Sequence, residues 1–331
     1  MKPRDIFLAA LHRRPVARPA TGSATSVVTT DLMEHVGARF PEAHLDPAVM
    51  VRLAGAGHTV LGFDNVMPLF SVWHESAALG CRMDWGTPGR MPDGHSPIAS
   101  FDRPFVPPAG WLDHPACRTP LEALRLLRRE LGGTAAVVGK VFGPWTLGYH
   151  IYGVEEFLVQ TLLNPDAVRA AITVLKEITV TFAQAQIAAG ADTICLADHA
   201  TRDLCGPEAY RDFLRDVHAE LAARIPCPLI LHICGDTADR IPMIATTGIP
   251  CFHFDSKVPA ERARQLAGPT LALMGGTGNI AVIRNGKPAD VRADVRAKIA
   301  AGIDIIGPEC AVPLDAPWRN LKALADAVKE G

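Results

Sequence analysis

The sequence predicts an α/β protein, a single (β/α)8 TIM barrel with an N-terminal helix and a loop or hairpin insertion after strand 2. Three observations carry the prediction. Short apolar runs without polar alternation recur between longer helical stretches, as expected of parallel strands covered on both faces. Eight such runs can be counted, the number that closes a barrel. No glycine-rich phosphate loop follows the first run, which argues against an open doubly wound sheet.

Taken in order, the chain opens with MKPRDIFLAALHRRP, whose short apolar centre follows Asp5 and precedes basic residues. That pattern fits an amphipathic first helix better than a signal peptide. PVARPATGS (15–23) supplies the first strand and TVLGFDNV (59–66) the second. Residues 67–130, rich in Pro, Gly and charge, read as an excursion with a small hairpin near the catalytic mouth, where long barrel loops carry function. TAAVVGKVFG (134–143) is the third strand, and helices follow over EEFLVQTLL and 165–190. Pro165 suits a first helical turn and Gly190 a helix end.

ADTICLAD (191–198) is strand four, with a helix over 206–225, and CPLILHIC (227–234) is strand five, with a short helix over 237–248. CFHFD (251–255), LALMGG (271–276) and IDIIGPE (303–309) complete the set, each followed by a helix, the last being APWRNLKALADAVKE. With no linker and no further repeat, residues 1–331 read as one domain.

Composition narrows the function. A formal net charge of −2 gives no electrostatic footprint for nucleic acid, and no run approaches the roughly 18 apolar residues that span a bilayer. Eight cysteines scattered over 331 residues do not resemble a disulfide framework, so reduced thiols in the cytoplasm are expected.

Chemistry concentrates in PLILHICGDT (228–237). Residues i and i+2 of a strand share a face, so His232 and Cys234 can lean on one ion. Cys310, at the predicted end of strand eight, reaches the same rim. One imidazole and two thiolates form a set that Zn²⁺ favours, and three protein ligands leave the fourth position open for catalysis. The alternative is packed thiols beside a hydrogen-bonded histidine. Asp198 and Asp255 end strands four and six and are expected to orient His232, or else to cap the next helices. Trp145 and Tyr149 read as packing, as do the remaining six cysteines.

These residues sit in sequence that resembles the uroporphyrinogen decarboxylase superfamily and, within it, the methylcobamide:coenzyme M methyltransferase branch. The resemblance runs through GFDNVMPLFSVWHESAALGCRMDWG, FGPWTLGYHIYG, LHICGDT, FHFDSK, GGTGN and GPECAVPLDAPWRNLKAL. It places the branch's His-x-Cys and distant Cys on His232, Cys234 and Cys310. Two departures stand out. The arginine-rich stretch with which the decarboxylases grip carboxylates is replaced by TGSATSVVTT, and Ser256 stands where an acidic fourth ligand is expected.

The resemblance therefore implies a zinc-dependent methyltransferase. It would move a methyl group from a methylcobamide, presented by a separate small corrinoid-binding protein, to a small thiol such as coenzyme M. An anionic acceptor would want a cation near the rim, from Lys140 or Lys257. Tetrahydrofolate or homocysteine as acceptor, a decarboxylase, and a non-catalytic barrel that binds a corrinoid protein are the alternatives.

Overall fold

Eight short parallel strands curl into a barrel in the computed structural model, which describes residues 1–331. They are β1 (Ala20–Thr21), β2 (Asn65–Val66), β3 (Ala136–Phe142), β4 (Thr193–Ala197), β5 (Leu229–His232), β6 (Cys251–Phe254), β7 (Ala272–Thr277) and β8 (Ile305–Pro308). Backbone ladders join β2 to β3 and then each successive strand round to β8, which pairs with β1. Every residue of these strands is buried, because the interior is filled with side chains and helices cover the outside. Ninety-five buried apolar residues form one continuous cluster, so no second core competes with the barrel.

The seam between β1 and β2 closes differently. The Asp64 amide donates to the Thr21 carbonyl (2.8 Å), and the Asp64 carboxylate accepts from the Thr21 amide (2.9 Å). Asn65 trades two bonds with the Ser23 backbone, at 3.0 and 2.8 Å. Arg18 clamps the fully buried Asp64 carboxylate through two bonds of 2.8 Å. Side chains here supply what a ladder supplies elsewhere, which explains why both strands are shorter than their apolar runs. Thr59, expected to open the second strand, instead ends the helix Pro47–Thr59.

The helix Pro3–Ala10 precedes the barrel. After β2 come the helix His74–Ala78, an antiparallel hairpin (Arg82–Asp84 with Asp93–His95) and the helix Pro115–Leu131. That last helix, 17 residues long, falls in the stretch read as irregular. The helix after β4 contains a widened turn, Tyr210–Leu214, between Pro207–Ala209 and Arg215–Arg224. Residues 237–248 hold only the helix Ile241–Ile244. No helix is long and apolar enough to cross a membrane.

Candidate metal centre

His232 is the last residue of β5 and Cys234 lies two residues beyond it; Ile233 between them is fully buried. Cys310 lies two residues past the end of β8. The structure brings all three together: His232 Nε2 is 3.1 Å from Cys234 Sγ, the two sulfurs are 3.1 Å apart, and Cys310 Sγ is 3.5 Å from His232 Nε2. A tetrahedral zinc with ordinary bonds to nitrogen and sulfur needs edges of roughly 3.5–3.8 Å. The Cys310–His232 edge matches, while the His232–Cys234 and sulfur–sulfur edges are short by about 0.4 and about 0.7 Å, so the three donors converge on one point and would spread slightly around an ion. Among all His, Cys, Asp and Glu side chains, this is the one group of three close enough to share an ion.

The thiols themselves carry a matching signal. Their mutual hydrogen bond and burial hold one proton on Cys234, while that bond and His232 push Cys310 well down. Two thiolates at this distance repel, and a divalent cation is what allows both to ionise.

Backbone orients the imidazole. His232 Nδ1 lies 3.2 Å from the His253 carbonyl, which can only accept, so the ring proton sits on Nδ1 and the Nε2 lone pair faces the sulfurs. His253 in turn donates from Nε2 to the Pro308 carbonyl at 2.8 Å, tying β6 to the strand that leads to Cys310. Gly275 makes room for this bond: at φ +93° any Cβ would lie 2.6 Å from His253 Nε2.

Asp198 and Asp255 do not take the orienting role expected of them. The Asp198 carboxylate accepts from the Thr146 amide (2.8 Å) and hydroxyl (3.1 Å) and lies 3.0 Å from His218 Nε2, whose Nδ1 meets the Tyr210 hydroxyl at 3.0 Å. Asp255 accepts from the amides of Gly235 (2.8 Å) and Lys257 (2.9 Å), so it shapes the turn that follows Cys234. The reason is geometric. His253 lies beside His232 in the β5–β6 register, and its carbonyl reaches the ring before either carboxylate can. Near Ser256, Glu309 accepts from the amides of Ser256 (3.1 Å) and Asn279 (2.8 Å), linking the loops after β6 and β7 to the Cys310 segment.

A cavity of about 310 Å³ opens over the three donors. Phe70, Val72, Met91 and Phe142 give it an apolar wall, and Lys140, His150, His199 and Asp198 also face it. Burial lowers the pKa of His199, and pushes that of His150 down to about 3, so both imidazoles are neutral at pH 7. Sequence reasoning missed His150, His199 and Glu75. His199 follows Asp198 directly at a predicted strand end and could have been found from that position. The other two acquire their setting only through packing: His150 against Trp73 and the Ser76 hydroxyl, Glu75 against the Phe142 amide. Trp145 and Tyr149 are buried against Phe157 and do not line the cavity.

Comparison with known proteins matches this architecture. The sequence pattern of the family described as uroporphyrinogen decarboxylase (URO-D) matches residues 2–331. A methylated-thiol–coenzyme M methyltransferase from Methanosarcina mazei is 34% identical over 331 residues, all of this chain and 90% of the relative. A methylcobamide:CoM methyltransferase, MtaA, from Methanosarcina barkeri is 29% identical over 98% of this chain and 96% of its own length. Among solved structures, a methyltransferase from Methanosarcina mazei superposes with a TM-score of 0.96 at 28% identity, covering 100% of this chain and 99% of that one.

Proposed function

From its membership of the uroporphyrinogen decarboxylase (URO-D) family, on the methylcobamide:coenzyme M methyltransferase branch, we propose that this chain is a zinc-dependent methyltransferase that moves a methyl group from a corrinoid to a small thiol such as coenzyme M. The observation that supports it best is the His232–Cys234–Cys310 triangle at the floor of a ligand-sized cavity. When bound there, zinc supplies the Lewis acidity that deprotonates a coordinating thiol at neutral pH.

The protein's own groups do the rest. Cys234 and Cys310 donate as thiolates, and their charge keeps an incoming sulfur electron-rich. His232, its ring fixed by the His253 carbonyl, would be the third ligand to the ion, and three protein ligands are the number that catalytic zinc sites use. The apolar wall limits water beside that sulfur. The methyl group passes from cobalt to sulfur, the electron pair of the cobalt–carbon bond stays on cobalt, and the thiol proton leaves to solvent. A separate corrinoid-binding protein presents the donor, since the chain lacks the Asp-x-His-x-x-Gly pattern of such a module. Decarboxylation of a polycarboxylate fits poorly, because no arginine lines the cavity.

The test supplies zinc-loaded protein with methylcobalamin and a thiol. The cobalt absorbance changes only when both thiol and zinc are present; no change with any thiol contradicts the proposal.

A further inference from the structure

A thiol that is to bind beside Cys234 and Cys310 brings a proton that must leave the cavity. Free thiols ionise near pH 8.5, so close to pH 7 nearly all of the acceptor arrives protonated. Entry as the thiolate would set a third negative sulfur against an apolar wall and two cysteine donors. Entry as the neutral thiol, with its proton handed to a neutral base inside, leaves the net charge of the cavity unchanged.

Most bases of the lining are engaged. His150 Nδ1 meets the Ser76 hydroxyl at 2.7 Å, its ring stacks on Trp73 with centroids 3.9 Å apart, and burial leaves its pKa at about 3. The Asp198 carboxylate already accepts from Thr146 and lies against His218. Burial lowers the Lys140 pKa, but Cys195, Glu75 and Cys310 favour its ammonium form, which has no lone pair to give. His199 differs: its ring makes no hydrogen bond with the protein, and it is exposed while facing the same cavity.

Its place is fixed all the same. The His199 amide donates to Thr146 Oγ1 at 2.7 Å, and that hydroxyl donates to Asp198 at 3.1 Å, which pins the loop after β4 to the helix Pro144–Tyr152. The Tyr149 ring from the same helix stands edge-on to the imidazole, with centroids 6.3 Å apart. Burial against the wall holds the ring neutral at pH 7; Cys310 and Asp198 favour its cation, and His232 opposes it.

We propose that His199 is a catalytic base: a free ring nitrogen takes the S–H proton as the sulfur enters, and the imidazolium then releases it to water. The electron pair of the S–H bond stays on sulfur, which becomes the nucleophile. The inference rests on the methyl transfer proposed above and adds the group that handles the proton.

Calorimetry of 2-mercaptoethanesulfonate binding to zinc-loaded protein, in buffers of different ionisation enthalpy, counts the protons released. A thiolate beside the ring stabilises its imidazolium, so clearly less than one proton per thiol is released at about pH 6 and one at about pH 8. His199→Gln releases one at both. With methylcobalamin, His199→Gln lowers kcat/KM about 100-fold near pH 7, the low end for a general base because zinc itself acidifies the thiol. The loss shrinks as pH rises past the thiol pKa, zinc content stays unchanged, and added imidazole restores part of the rate to His199→Ala. A His199→Gln profile parallel to that of the unaltered protein, or one proton released by both at about pH 6, overturns the proposal. Proton retention that disappears in the variant, with no methyl transfer to any thiol, supports His199 as the base and instead contradicts the methyltransferase reading.

Discussion

From β3 round to β8 each strand is joined to the next by a backbone ladder, whereas β1 and β2 meet through one backbone bond and the side chains of Asp64 and Asn65, with Arg18 behind them. The two regions contribute different things to the cavity. The laddered side provides the metal donors and the carbonyl that aims His232. The seam side provides Thr25, Phe70, Val72 and Met91, from segments that follow β1 and β2. A metal site needs donors held to fractions of an ångström, and ladders give that precision. A wall that meets a ligand needs shape and polarity more than register, and longer connections can supply both.

This contrast predicts that changes on the two sides fail in different ways. The largest effect is expected for Cys310→Ala or Cys234→Ala, which remove a donor: zinc affinity falls by more than about a hundredfold and methyl transfer is lost. Metal analysis after dialysis checks this, and the fold, held by the apolar core, keeps its secondary-structure spectrum.

On the seam, Asp64→Ala leaves the half-buried Arg18 guanidinium without its bidentate partner and the buried Thr21 amide without its carboxylate acceptor. The expected cost is about 3–5 kcal/mol of stability, read by urea unfolding, with zinc stoichiometry per folded chain unaltered. Loss of zinc with little loss of stability would erase the distinction between the two sides.

Gly275→Ala sharpens the comparison, because it touches the laddered side without removing a donor. The methyl group meets His253 and strains a positive φ, which costs about 1–3 kcal/mol. Through the His253 carbonyl it also disturbs the His232 ring, lowering zinc affinity roughly 10- to 100-fold. A competition titration with a chromophoric chelator measures the shift.

The smallest effect concerns Glu75, in the helix after β2, whose carboxyl burial pushes up to about 7 from 4.5. A folded-state pKa above the unfolded one means that the protonated acid is favoured by folding. Its contribution is complete below about pH 4.5 and lost as pH rises through about 7, at most about 3 kcal/mol. Glu75→Gln cannot ionise, so metal-free variant and protein should differ in stability above pH 7 and converge toward pH 5. Parallel curves across that window would contradict the assignment.

Much of this was legible in the sequence where local pattern and topology coincide. His232, Cys234 and Cys310 could be placed at one rim because an apolar run ending in a polar residue marks a strand end, and parallel strands end together. The limits of β1 and β2 were not legible, since the seam depends on Asp64 and Asn65 reaching across 42 residues or more. The helix Pro115–Leu131 was hidden among turn residues and carries Pro120 inside it. Asp198 and Asp255 were found at their strand ends, but their partners were not, because a hydrogen bond to Thr146 or Gly235 is a property of three-dimensional packing.

Methyl transfer at this site requires one divalent ion among His232, Cys234 and Cys310 with room for an incoming sulfur. Zinc-edge X-ray absorption of the purified protein, before and after addition of 2-mercaptoethanesulfonate, tests it most directly. The expected result is about one zinc per chain with two sulfur neighbours near 2.3 Å and nitrogen or oxygen near 2.0–2.1 Å, rising to three sulfurs when the thiol is added. A shell without sulfur, or one that stays at two sulfurs in the presence of saturating thiol, would contradict it.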